Sequence, residues 1–169
     1  MSTGSTTRET LITWEDPQIG LAQLPTLSGF DFLTKMATGE LPGPPISSHL
    51  DMVITTVEHG SVTFEGRPGE SHYNPIGMVH GGYVSTLLDS TVGCSVHSML
   101  PAGTGYTSIE LKVNFLRPIS AESGPLTSTG RVTKLGRRVA FAEAEVVDAN
   151  GKAVATASSS LLIFPLGAE

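Results

Sequence analysis

A chain of 169 residues, 39% hydrophobic and 15% charged, can bury one core and leaves too little for a second full domain. Its net charge of -6 and pI near 5.3 exclude nucleic acid as the main partner, which would select for a basic surface. The single cysteine, Cys94, excludes an internal disulfide, and no apolar run reaches the roughly 20 residues needed to span a bilayer, so no membrane partner is expected.

The opening Met-Ser-Thr-Gly-Ser-Thr-Thr-Arg has neither the apolar core nor the cleavage pattern of a secretory signal, and a cytoplasmic location is expected. Residues 17–24 and 28–38 read as short helices, with Ser28 placed to cap the second and Gly39 to stop it. Leu41-Pro42-Gly43-Pro44-Pro45 follows, where three prolines remove backbone donors and hold the chain extended. A boundary belongs there: residues 1–45 form an N-terminal helical or extended segment, expected to cover the sheet, and residues 46–165 form the main domain.

Past the boundary, residues 52–58 and 62–66 read as strands around His59-Gly60, and residues 67–79, rich in Gly and Pro, as a loop. After Gly81-Gly82 the apolar residues fall at Val84, Leu87, Leu88, Val92, Val96 and Met99, with Thr91 and Ser95 on the same stripe, the spacing of one long helix ending near Pro101. Beyond Gly105 the period changes to two. Ile109, Leu111, Val113 and Phe115 alternate with Glu110, Lys112 and Asn114, a strand with one buried face that stops at Pro118. Residues 126–135, 138–148 and 152–164 complete the strands, the last two joined by the hairpin signal Asp148-Ala149-Asn150-Gly151. A long helix with consecutive hairpin strands is an α+β arrangement in which one antiparallel sheet covers the helix.

The chemistry gathers at the start of that helix. Gly81 and Gly82 let a ligand approach the backbone where the first helical amides have no internal acceptor and can donate to an oxyanion. Asn74, in a loop held by Pro75 and Gly77, is either a turn residue or a group that orients water or a carbonyl. Asp89 lies off the apolar stripe among small residues (Ser85, Ser90, Gly93, Cys94), on a face made for close contact. A carboxylate there is either held by a buried ion pair or hydrogen bond, or it is a base or nucleophile for acyl chemistry. His80 is read as an orienting neighbour. Gly81 and Asp89 are eight residues apart, about 12 Å along a helix, so one carbonyl cannot touch both. Two antiparallel copies of the helix about a two-fold axis would bring Gly81 of one chain to Asp89 of the other.

The run from Asn74 through His80-Gly81-Gly82 to Asp89, with Ser108-Ile109-Glu110-Leu111-Lys112-Val113-Asn114-Phe115 and Arg117-Pro118, resembles the hot-dog-fold acyl-CoA thioesterases of the PaaI-like branch, over roughly residues 46–165. The resemblance implies a sheet of five to six strands wrapped round a central helix, paired as a homodimer and often paired again as a homotetramer. It implies that the Gly81 amide polarises a thioester carbonyl, that Asn74 and Asp89 hold or activate water, that His80 supports the helix start, and that Ser108 assists Asp89 from the same subunit. Within this family the acid is treated both as nucleophile and as general base. Residues 1–45 lie outside the resemblance, and their length and Trp14 either shape the acyl pocket or only cover the sheet, the cover being expected.

Coenzyme A carries phosphates, and the candidate contacts for it are Gly82, Lys112, Arg117, Lys134, Arg137 and Arg138, part of a basic stretch that also holds Arg131. Coenzyme A enters as part of the substrate, so no separate cofactor is expected. No metal is expected either, since His72 and His80 lack a third ligand at metal spacing, and Gly103-Thr104-Gly105 is not a dinucleotide fingerprint. The competing readings are an acyl-CoA-binding hot-dog protein that does not cleave its ligand, and a hot-dog enoyl-CoA hydratase, whose Asp and His pair in a different loop pattern is missing from this sequence.

Overall fold

The computed structural model describes residues 6–167, so the opening-segment reading lies partly outside the described residues. Helix α1 spans only Gln18–Leu21. Helix α2, Gly29–Ala37, begins where the Ser28 hydroxyl accepts from the Asp31 N–H, and it ends before Gly39, whose φ of 78° is the left-handed conformation that glycine adopts freely. The proline run does more than extend the chain. Pro45 opens a short helix α3, Pro45–His49, because a first-turn residue has no use for the missing N–H. The N-terminal segment is docked tightly: Leu33 is 1% exposed, and a Cβ on Gly29 would lie 1.8 Å from the His97 carbonyl oxygen.

Six strands form one sheet: β1 (Met52–Glu58), β2 (Ser61–Gly66), β3 (Thr104–Phe115), β4 (Leu126–Leu135), β5 (Val139–Val147) and β6 (Ala153–Pro165). They run antiparallel in the order β1-β2-β4-β5-β6-β3. Helix α4, Gly81–His97, crosses one face and buries Leu87, Leu88, Val92 and Val96 in a core shared with Leu126, Val146 and Leu161. The small polar residues on this stripe are there for contact. Thr91 Oγ1 donates to Ser128 Oγ at 2.7 Å, and Ser95 Oγ accepts from the Val62 N–H at 3.1 Å. A Cβ on Gly130 would lie 2.5 Å from that same Ser95 oxygen, so helix and sheet approach as closely as backbone allows. Met99, expected on the buried stripe, lies past the helix end at His97 and is exposed.

Strand β3 departs from its expected alternation. It pairs only with β6, leaving its other side as a sheet edge, and its register shifts between Ser108 and Glu110. The bulge puts Ile109 outward and inverts the side-chain parity: Tyr106 and Ser108 face the helix before it, Leu111 and Val113 pack on the core after it. Ile109 and Phe115, both expected on the buried face, are 57% and 56% exposed.

Candidate active site

The loop into α4 is folded around Asn74. Its Oδ1 accepts from the Ile76 and Met78 amides at 3.0 and 3.1 Å, and Gly77, at φ 80°, closes the turn onto the Asn74 carbonyl. The turn reading of Asn74 holds for its side-chain oxygen. That oxygen belongs to the turn, while Nδ2 has no acceptor among the described residues.

Next in the chain, His80 caps the helix. Its Nδ1 accepts from the Gly82 N–H at 2.8 Å and its carbonyl from the Tyr83 N–H at 3.0 Å. The cap places the ring proton on Nε2 and engages the amide of Gly82, the residue expected at coenzyme A; a Cβ on Gly82 would also lie 2.9 Å from Nδ1. The Gly81 amide has no acceptor among the described residues and no carbonyl one turn back to reach. A Cβ on Gly81 would sit 3.0 Å from the Phe115 ring. Asn74, Gly81, Phe115 and Arg117 line one cleft of about 420 Å³. Phe115 was expected in the core, and only the fold reveals it as a wall of this cleft.

Two turns along α4, Asp89 is half-buried and its Oδ1 accepts from Ser108 Oγ at 2.7 Å. Among the described residues this carboxylate has no ion pair, and the hydrogen bond to strand β3 is what holds it. Beside it, Tyr106 lies against Gly93, where a Cβ would be 2.7 Å from the ring, and its hydroxyl is hydrogen-bonded to Cys94. Burial pushes the Cys94 thiol up to about 12 and holds the Tyr106 hydroxyl well above its ordinary range, so neither ionises near neutral pH. Behind them His97 is wedged between the Phe32 and Tyr106 rings, and burial lowers its imidazole to about 4.

The candidate residues therefore form two clusters on one helix, Asn74 with Gly81 at its start and Asp89 with Ser108 further along. Of the basic residues, Arg117 lines the first cleft and donates to the Ala153 carbonyl. Lys112 is exposed on β3. Lys134, Arg137 and Arg138 are exposed around the β4–β5 turn, at the other end of the sheet: Val139 pairs with Leu162, which pairs with Thr107 beside Ser108. Arg131 is ion-paired with Glu143. Among the described residues no three His, Cys, Asp or Glu gather to hold a metal, and no helix is long and apolar enough to cross a membrane.

The family model of the thioesterase superfamily matches residues 76–155. The chain is 34% identical over 119 residues to a Saccharolobus solfataricus protein named as an esterase, covering 70% of this chain and 83% of that one. It is 26% identical over 105 residues to human acyl-coenzyme A thioesterase 13, covering 62% and 74%. The crystal structure of a Ralstonia eutropha protein described as a phenylacetic acid degradation-related thioesterase superposes with a TM-score of 0.71 at 31% identity, over 77% of this chain and 98% of that one.

Proposed function

The chain belongs to the thioesterase superfamily, in its PaaI-like hot-dog branch, and from this premise we propose that it hydrolyses acyl- or aryl-coenzyme A at sites shared between two copies. Thioester hydrolysis itself follows from the family. The observation that carries the shared site is the separation of the two clusters: the unengaged Gly81 amide and the Ser108-bound Asp89 carboxylate stand about 12 Å apart on one rigid helix. The β3 edge supports the pairing. It is twelve residues long and exposes Ile109 and Phe115, an open ladder and apolar surface suited to the same edge of a second copy.

In the reaction, a water held at Asp89 attacks the thioester carbonyl carbon and gives its proton to the carboxylate. The carbonyl oxygen gains charge and is stabilised by the Gly81 N–H of the other chain, with the helix dipole behind it. Asn74 Nδ2 donates to the same oxygen or to the water. Collapse breaks the C–S bond, and the departing thiolate recovers the proton from Asp89, leaving a carboxylic acid and free coenzyme A. Nothing beyond water is consumed. Arg117 of one chain and Arg137 and Arg138 of the other supply charge for the phosphates.

Co-expression of two inactive chains tests the shared site. Asn74→Ala and Asp89→Asn, each impaired alone, together form mixed dimers in which one site has lost both groups and the other is intact. About a quarter of wild-type coenzyme A release is expected from random pairing into C2 dimers. No recovery, with mixed dimers demonstrated by mass spectrometry, would place the whole site within one chain.

A further inference from the structure

Resting on that reading, we infer that the acyl chain of the substrate lies in a second cleft, roofed by the N-terminal segment, and that this segment sets the length of acyl chain accepted. The cleft has a volume of about 710 Å³, within the range of small-ligand pockets. One wall is the end of α2 with the α2–α3 connection, from Met36 to Ser48; the opposite wall is Met52 and Ile54 of β1 with Phe64 of β2. Its floor is Ser90 and Cys94 of α4 with Tyr106 of β3.

That floor continues the Asp89 cluster. Ser90 is the next residue to Asp89, and Tyr106 precedes Ser108 by two positions on the same face of β3. Gly93 admits the Tyr106 ring against the helix, and Tyr106 and Cys94, both in the lining, stand beside the Ser108–Asp89 pair. A thioester carbon at Asp89 thus has its acyl side facing this opening.

Charge selects the occupant. Asp51, ion-paired with Arg67 outside the lining, is the one acidic side chain there, and no lysine or arginine lines the cleft, so an uncharged chain is favoured over phosphates. Cys94 and Tyr106 stay neutral, and the methionines Met36 and Met52 adapt to a flexible hydrocarbon. The roof residues from Met36 to Pro44 fall in the N-terminal segment, Ser47 and Ser48 follow directly after it, and all lie outside residues 76–155, the part matched by the family model. The sequence alone left that segment either shaping the acyl pocket or only covering the sheet, and favoured the cover.

The test compares coenzyme A release from acetyl- to decanoyl-CoA for the wild type, Ala37→Trp and Ser47→Trp, with binding of the same series to Asp89→Asn measured by calorimetry. Ala37 is exposed at the last position of α2, so a large residue there narrows the cleft without touching the core. The wild type is expected to gain roughly threefold in kcat/KM per added methylene until the cleft is filled. Either tryptophan should cut the decanoyl-to-acetyl ratio about 30-fold or more. A wild type indifferent to chain length, or tryptophans that lower every substrate equally, overturns the inference and leaves thioester hydrolysis standing. Length-dependent binding that the same tryptophans abolish in the Asp89→Asn background, with no acyl-CoA cleaved by the wild type, supports the cleft and overturns the acyl-CoA hydrolase reading instead.

Discussion

Ser108 Oγ donates a 2.7 Å hydrogen bond to Asp89 Oδ1, joining the edge strand to the central helix at the carboxylate. Only the bulge at Ile109 makes this possible, because unbroken alternation through Leu111 and Val113 would turn Ser108 away from the helix. Asp89→Asn is expected to lower kcat by on the order of 10²-fold or more while the dimer persists in light scattering. Ser108→Ala should cost about tenfold. In the double variant the two losses should not multiply, because the serine acts through the carboxylate, and steady-state kinetics of all four proteins measures that coupling. Multiplicative losses would separate Ser108 from Asp89.

His80 has a structural task that thermal unfolding can read. Its Nδ1 satisfies the Gly82 amide at the start of α4, so His80→Ala leaves a helix amide without its cap. A loss of about 1 kcal/mol is expected, a fall in Tm of roughly 2–4 °C for a chain of this size. His80→Asn, which also offers a short side-chain acceptor, should recover most of it. If both variants melt with the wild type, the cap contributes nothing.

His97 makes stability depend on pH. Burial holds its folded-state value at about 4 against 6.5 in the unfolded chain, so the unfolded state binds a proton first as pH falls. The stabilisation is complete above about pH 6.5, declines between 6.5 and 4, and is gone below, an effect of up to roughly 3 kcal/mol. Urea unfolding of wild type and His97→Gln at pH 7.5 and pH 5 checks the sign: the wild type should lose more on acidification than the variant. Equal losses would place the proton uptake on other groups.

Much of this protein is legible in its residues. Ser28 and Gly39 mark the ends of α2 through capping chemistry that acts within a few residues, and Asp148 to Gly151 specify a hairpin in the same way. The stripe from Val84 to Val96, with Thr91 and Ser95 on it, dictates the central helix and the face it buries, because period alone decides which side chains share a side. The separation that keeps Gly81 from Asp89 along that helix was equally readable. Tertiary structure decided what depends on chain segments distant in sequence. It set β3 beside β6, turned Ile109 and Phe115 outward at an open edge, and committed the Gly82 amide to His80. It also laid Met36 and Ala37 opposite Phe64 and Cys94 to enclose a cleft. Local sequence encodes periodicity and turns, whereas which edge stays unpaired and which walls face each other are settled only when the whole sheet closes over its helix.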